Sequence, residues 1–309
     1  MRPKVALVLG AGASCSYGFP VGSVLRRRLV DLGNSASRNS ALLACGEDDL
    51  RAFVTAFQSA QTYSIDAFLS RRLDLATVGK GAIAQVLLEG ENLCNLVNED
   101  HADHWYQYLV NELATEGWDT FDPSWLSIVT FNYDRSLEVY LCLALRHIFD
   151  KSESEIVERL RTVEVVHVYG SLGSPWPGDD DYLPFKTPPE HLSETIQASA
   201  KRIKVIPEGR DDDDTLVRAQ ALLANASRIC FLGFGFDSTN IRRLGAPNTF
   251  LPAQAQLKRV VATTIGMTSA EVVRAARRVL SEPGYASRGA DWFRNLNCIG
   301  LLRESLILD

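Results

Sequence analysis

The chain has 309 residues, of which 46% are hydrophobic and 23% charged, with a formal net charge of −6. That balance excludes a disordered or membrane-embedded chain, leaves room for one large domain or two ordinary ones, and gives no general reason to expect direct nucleic-acid binding. Six cysteines scattered without a C-x-x-C pair argue against a zinc ribbon and a disulfide framework, and with no bilayer-length apolar run and no secretory pattern the expectation is a cytoplasmic protein without a metal site.

In chain order, the apolar run Val5, Leu7, Val8 and Leu9 suits a buried parallel strand. It breaks at Gly10-Ala11-Gly12-Ala13-Ser14, a turn that calls for small residues. Where such a turn leads into a helix, its backbone N–H groups and the helix dipole favour an anion, so a phosphate is its natural guest; a structural connection that binds nothing is the equal alternative. The dinucleotide fingerprint G-x-G-x-x-G fails, since Cys15 stands at the third glycine and the next glycine is Gly18. Residues 21–32 read as a helix, with Val24, Leu25 and Leu29 at helical spacing and Arg26, Arg27 and Arg28 on its solvated side, and residues 34–40 as a polar loop. From about 35 to 120 the apolar spacing stays helical, as in Leu50, Phe53, Val54 and Phe57, which predicts a mainly helical insertion. Within it Ser64 is a plausible cap for a helix that carries Asp66 in its first turn.

Strand and helix then alternate. Residues 126–131 form a short strand ending in Asn132-Tyr133-Asp134, followed by helices over 137–148 and 155–160. Residues 163–168 form a third strand ending in Tyr169-Gly170-Ser171, and the Pro-, Gly- and Asp-rich residues 172–189 read as a long loop. A short strand over 203–206, a solvated acidic run over 211–214, a helix over 215–225 and a strand over 229–232 precede Gly233-Phe234-Gly235-Phe236-Asp237. A sixth strand over 258–264 and a helix from Ser269 to Leu280 follow. The alternation predicts an α/β fold, a doubly wound, Rossmann-like parallel sheet of about six strands with a helical insertion, in a single domain over 1–309. Ligands of such sheets sit beyond the carboxyl ends of the strands, so four tips can share one crevice: 10–14, 132–134, 169–171 and 233–237.

These tips, in this order, resemble the sirtuin superfamily, in particular its bacterial branch of NAD-consuming antiphage-defence proteins. The resemblance implies that Gly10, Ala11, Gly12, Ser14 and Pro20 belong to the motif holding the NAD⁺ pyrophosphate, and that Thr130-Phe131-Asn132-Tyr133-Asp134 brings Asn132 to the nicotinamide ribose and Asp134 to the nicotinamide pocket. Ser64-Ile65-Asp66-Ala67-Phe68-Leu69 is similar to a segment of the same branch, and Gly233, Phe234, Gly235, Asp237 and Asn240 to its later phosphate and ribose loop. Two departures matter. The cysteine-free stretch over 172–200, read as a long loop, replaces the four-cysteine zinc module of the deacylases, and Tyr169 stands before Gly170-Ser171 where the family has its catalytic histidine. A strand alternates faces, so His167 and Tyr169 are expected to point the same way, about 6.5 Å apart, with His167 either supplying the base or buried beneath the site.

The chemistry implied is cleavage of the nicotinamide–ribose bond with NAD⁺ as substrate and no metal. Departure of nicotinamide neutralises its pyridinium charge, so the protein mainly stabilises an oxocarbenium-like centre and places a water. Asn132 can orient that water or the ribose hydroxyls, or merely cap a helix; His167 can act as base; Tyr169 is a poorer base and a hydrogen-bond donor; and Ser14 is a weaker candidate nucleophile. The resemblance therefore implies an NAD⁺ glycohydrolase serving as a regulated effector of antiphage defence, gated by residues 172–189, by an activating protein partner or by homo-oligomerisation. A non-catalytic sensor of NAD⁺ or ADP-ribose stays open, and behind it a protein deacylase or ADP-ribosyltransferase; a dehydrogenase fits least.

Overall fold

Five consecutive apolar residues without a turn former suit the interior of a sheet, and in the computed structural model Val5–Leu9 forms β1, buried throughout. The structure describes residues 2–62, 64–204, 214–250, 258–280 and 292–309. The further strands are β2 (Leu126–Thr130), β3 (Glu164–His167), β4 (Arg228–Leu232), β5 (Arg259–Thr263) and β6 (Phe293–Arg294). They form one parallel sheet of order β3-β2-β1-β4-β5-β6, flanked by helices, the doubly wound α/β arrangement expected. Leu7 lies in register with Ile128 on one side and Cys230 on the other. Strand order reverses between β1 and β4, so the carboxyl edge there is the crevice in which such sheets hold ligands.

Seven helices occupy the interval between β1 and β2, with no strand among the described residues: α1 (Gly22–Asp31), α2 (Ala36–Leu43), α3 (Glu47–Ala60), α4 (Ile65–Leu69), α5 (Ala76–Leu88), α6 (Leu93–Leu96) and α7 (Trp105–Leu113). In α3 the stripe Leu50, Phe53, Val54 and Phe57 is buried, while Glu47, Asp48 and Asp49 complement the dipole at its start. Ser64 caps α4, its Oγ accepting from the Ala67 N–H at 3.2 Å. Arg26 is not on a purely solvated face, since its guanidinium donates to the carbonyls of Phe57, Gln58 and Thr62 around the end of α3. The remaining helices among the described residues are α8 (Ser136–Phe149), α9 (Glu153–Leu160), α10 (Leu192–Arg202), α11 (Asp214–Asn225), α12 (Ser238–Arg243), α13 (Ser269–Leu280) and α14 (Cys298–Ser305). No described helix is long and apolar enough to cross a membrane.

Five local expectations are corrected. Residues 34–40 are helical: Ala36 and Leu43 enter the core, and Asn39 is satisfied inside it, donating to the Leu32 carbonyl at 2.8 Å and accepting from Gln85 at 3.0 Å. The stretch over 172–200 is irregular only in part, because α10 takes 192–202 and buries Thr195, Ile196 and Ser199. No strand forms at Ile203 and Lys204, where the Lys204 N–H instead meets the Tyr169 carbonyl at 2.8 Å; positions 205, 206 and 211–213 lie outside the described residues. The sixth strand is β6, two residues long and without the apolar run that betrays the others. The glycine turn also does not open an α-helix: two 3₁₀ turns, Ala11–Ala13 and Cys15–Tyr17, intervene before α1.

Two contacts fix the carboxyl edge. The loops after β1 and β4 touch backbone to backbone: the Gly12 N–H donates to the Gly233 carbonyl at 3.0 Å, and a β carbon on Gly10 would lie 2.5 Å from that same oxygen. Gly233 has φ +58°, and a β carbon there would lie 2.1 Å from the Ala13 nitrogen. Beside β2, Arg135 and Glu91 form a fully buried, two-pronged ion pair, Nε to Oε1 at 2.8 Å and Nη2 to Oε2 at 3.0 Å. Arg135 also donates to the carbonyls of Ser174, Leu183 and Pro184, and Glu91 accepts from the Lys186 N–H. The loop expected to be a gate is thus pinned to the insertion and to the start of α8.

Gly233→Ala is expected to destabilise the protein by roughly 2–4 kcal/mol, from a left-handed backbone penalty plus overpacking, read as a lowered urea midpoint; a loss under 0.5 kcal/mol would contradict the docking of the two loops. Arg135→Met strands the Glu91 carboxylate and is expected to cost roughly 3–5 kcal/mol, most of which the double variant with Glu91→Leu regains. Equal losses in the single and double variants would rule out an uncompensated charge as the cause.

Candidate functional site

A cavity of about 580 Å³ opens over the carboxyl ends of β1, β2 and β4, within the range of small-molecule and cofactor pockets. Ala11, Ser14 and Pro20 line it from the first loop, Asn132 and Asp134 from the tip of β2, Tyr169 from the turn after β3, and Gly235 and Asp237 from the loop after β4. The opposite wall comes from the insertion, through α4 with Asp66 and through the start of α1.

Its floor is a chain of hydrogen bonds across three segments. The Asn132 amide donates to the Gly10 carbonyl at 3.0 Å and to Ser14 Oγ at 3.2 Å, and Ser14 Oγ donates to Asp134 Oδ2 at 2.8 Å. Asp134 Oδ1 accepts from the Ser136 N–H at 3.2 Å and from the Ser136 hydroxyl, which also meets the Tyr106 hydroxyl at 2.7 Å. With its amide N–H groups spent on the loop after β1, Asn132 has its Oδ1 left to accept a further hydrogen bond. Ser14 therefore works as a relay between Asn132 and Asp134, both of its roles already filled, and not as a nucleophile awaiting a base.

Burial raises the Asp134 carboxyl above the ordinary carboxylate value, against the pull of Ser136 and Ser14. Burial likewise raises Asp66, against the pull of Tyr133, whose hydroxyl donates to its Oδ1. Tyr169 is raised by burial in spite of Arg243, so its phenol stays protonated, and it donates to Asn240 Oδ1. Its ring meets Phe131 edge-on at 5.4 Å, and Phe131 meets Phe234 in the same way at 5.1 Å, an aromatic layer under the cavity. Asp237 caps α12, accepting from the N–H groups of Thr239 and Asn240. Among the described residues no group of three or more His, Cys, Asp or Glu side chains converges as a metal site would.

Several residues singled out in the sequence do other work. Gly10, Gly12 and Gly233 pack against one another, Gly170 at φ +78° packs on the Arg202 carbonyl, and Phe234 sits in the aromatic layer. Ser171 and His167 line a second cavity of about 350 Å³ alongside β3, together with Trp176. His167 and Tyr169 do not share a face, because β3 ends at His167 and the chain turns there, the Gly170 N–H returning to the His167 carbonyl at 3.1 Å. The His167 ring has Nδ1 2.9 Å from the Asn132 carbonyl and Nε2 2.8 Å from Glu138 Oε1. Both are acceptors, so the doubly protonated imidazolium satisfies both. Burial opposes that charge, but the Glu138 carboxylate, its hydrogen bond and the Asn132 carbonyl outweigh it and raise the His167 pKa. A ring in that state has no lone pair with which to act as base. No residue of 172–189 lines the main cavity.

Sequence reading passed over Arg243, which lines the cavity one helical turn after Asn240, and took Asp66 first as a helix-end charge. The i, i+3 spacing of Asn240 and Arg243 behind a glycine loop was the available signal. The fold and this crevice make the protein an α/β protein with a pocket at its topological switch point. No protein-family model matches the chain, and no curated protein matches it in sequence.

In a ¹⁵N NMR titration His167 is expected to hold both ring protons through about pH 6.5, the unperturbed value, and to lose one above it; Glu138→Gln is expected to lower that midpoint. With a raised folded-state pKa, the pair's contribution to stability is complete below about pH 6.5 and is lost as pH rises through the folded-state value, so the stability gap between wild type and E138Q narrows on the alkaline side. A wild-type ring already neutral at pH 6 would refute the assignment.

Proposed function

We propose that the chain is an NAD⁺ glycohydrolase that releases nicotinamide and ADP-ribose. What carries the reading is the floor of the cavity, where Asn132, Ser14 and Asp134 are hydrogen-bonded into one unit against the glycine turn, at the place where a doubly wound sheet receives a nucleotide. In the reaction the C1′–N bond breaks, its electron pair neutralises the pyridinium, and a water oxygen joins C1′ and gives up a proton. Asn132 Oδ1 orients the ribose or the water. The Asp66 carboxylate, which lines the same cavity, stabilises the developing cation and receives the proton, a task its burial-raised pKa suits. Tyr169 serves as a donor that holds Asn240 in place. His167 supports the Asn132 carbonyl from behind. Regulation of the activity, as an effector of antiphage defence needs, then falls to a protein partner or to self-association, since the loop expected as gate is clamped by Arg135.

A second reading is a non-catalytic sensor of NAD⁺ or ADP-ribose. It is favoured by the protonated Tyr169 phenol at the position where the resembled family keeps its histidine.

Purified protein incubated with NAD⁺, alone and with candidate activators, is expected to release nicotinamide. Asn132→Ala and Asp66→Asn are each expected to lower kcat/KM by roughly 100-fold or more, with His167→Gln losing less. Tight NAD⁺ binding by calorimetry with no turnover under any condition would replace this reading with the sensor.

A further inference from the structure

Arg243, the last residue of α12, is 5% exposed and lines the main cavity. Its Nε and Nη1 are closed off from solvent and donate to no acceptor. Its guanidinium carbon lies 5.9 Å from the centre of the Tyr169 ring, and its carbonyl is fixed by Gln220 Nε2 at 2.7 Å. The carboxylates on the same cavity are committed elsewhere: Asp237 caps α12, Asp134 takes Ser14 and Ser136, and Asp66 takes Tyr133. A guanidinium keeps its charge at any accessible pH, so two buried nitrogens without an acceptor are a standing cost that a turn of the side chain toward a ligand anion relieves.

The glycine turn has less to offer an anion than its sequence suggests. The N–H groups of Gly10, Gly12 and Ala13 are all engaged by backbone carbonyls, and no α-helix starts there to lend a dipole. We propose that Arg243 is the anion anchor of the cavity, its buried guanidinium lying beside the Tyr169 ring and turning its N–H groups onto phosphoryl oxygens of the ligand as one binds. The proposal deepens the preceding reading and rests on it for the source of the phosphoryl group, the pyrophosphate of a dinucleotide.

The test uses the full chain as wild type, Arg243→Gln, Arg243→Lys and, as a control on the exposed neighbour, Arg242→Gln. Calorimetry measures ADP-ribose and adenosine, and thermal shift measures inorganic pyrophosphate. Arg243→Gln is expected to weaken ADP-ribose roughly 10- to 100-fold, to leave adenosine unchanged and to abolish the pyrophosphate shift, with Arg243→Lys recovering part of the loss and Arg242→Gln behaving as wild type. The ligand-free melting temperature of Arg243→Gln is expected to equal or exceed that of the wild type, which a structural arginine would not allow. ADP-ribose binding that depends on Arg243 in a protein releasing no nicotinamide supports the anchor and overturns only the hydrolase reading. The anchor is overturned if Arg243→Gln binds ADP-ribose within twofold of wild type while NAD⁺ is hydrolysed, or if the wild type binds neither ADP-ribose nor pyrophosphate.

Discussion

At the carboxyl edge the loops after β1 and β4 meet backbone to backbone, where Gly10, Gly12 and Gly233 leave no room for a single side-chain atom. This contact sets what the edge can offer a ligand. Two backbone N–H groups that a glycine turn ordinarily presents are spent on β4 and its loop, Gly10 on Leu232 and Gly12 on Gly233. Recognition therefore passes to side chains, and those that line the cavity come from whatever the two joined loops and the tip of β2 bring alongside: Ser14, Asn132, Asp134 and, one turn into α12, Asn240 and Arg243. The tight seam also places Asn132 well, since one of the acceptors that orient its amide is the carbonyl of Gly10 itself.

The insertion is more than a decoration on the sheet. It contributes Glu91 to the buried clamp on Arg135, and Asp66 to the cavity through the hydroxyl of Tyr133. Arg135 and Tyr133 flank Asp134, so three consecutive residues after β2 couple the sheet to the insertion, to the floor and to the loop over 172–188. A displacement of the insertion would reach the floor of the cavity through these residues. That is the physical route by which a partner touching the helices of the insertion would affect the site.

Legibility in the sequence followed the physics of burial. Strands buried on both faces, such as Val5–Leu9 and the part of β4 over 229–232, announce themselves by unbroken apolar residues, and parallel order follows from their alternation with helices. β6 gives no such sign, because two residues at a sheet edge are held by pairing with Ala262 and Thr263 and not by composition. α2 was hidden because Asn39 and Ser40 read as loop formers until Leu32 and Gln85 are seen to satisfy Asn39. In the site, Asn132, Asp134 and Ser14 were legible as a constellation at strand tips. His167 was misread because alternation was carried one turn too far, past the point where the strand ends, and Arg243 escaped notice because an arginine in a short helix looks solvated unless its burial is known.

The electrostatics of the cavity follow from that arrangement. Two carboxyls with raised pKa values, Asp66 and Asp134, face a region that also holds a charged guanidinium without an acceptor. A site tuned to its own groups would pair them, the arginine against an acid, and would be more stable for it. Here Tyr133, Ser14 and Ser136 occupy the acids with neutral donors, and Arg243 is left against the face of Tyr169. The pocket thus holds groups of both signs that are not paired with each other. On the proposed reading, that suits a dinucleotide with a pyridinium at one end and a pyrophosphate in the middle better than an uncharged nucleoside.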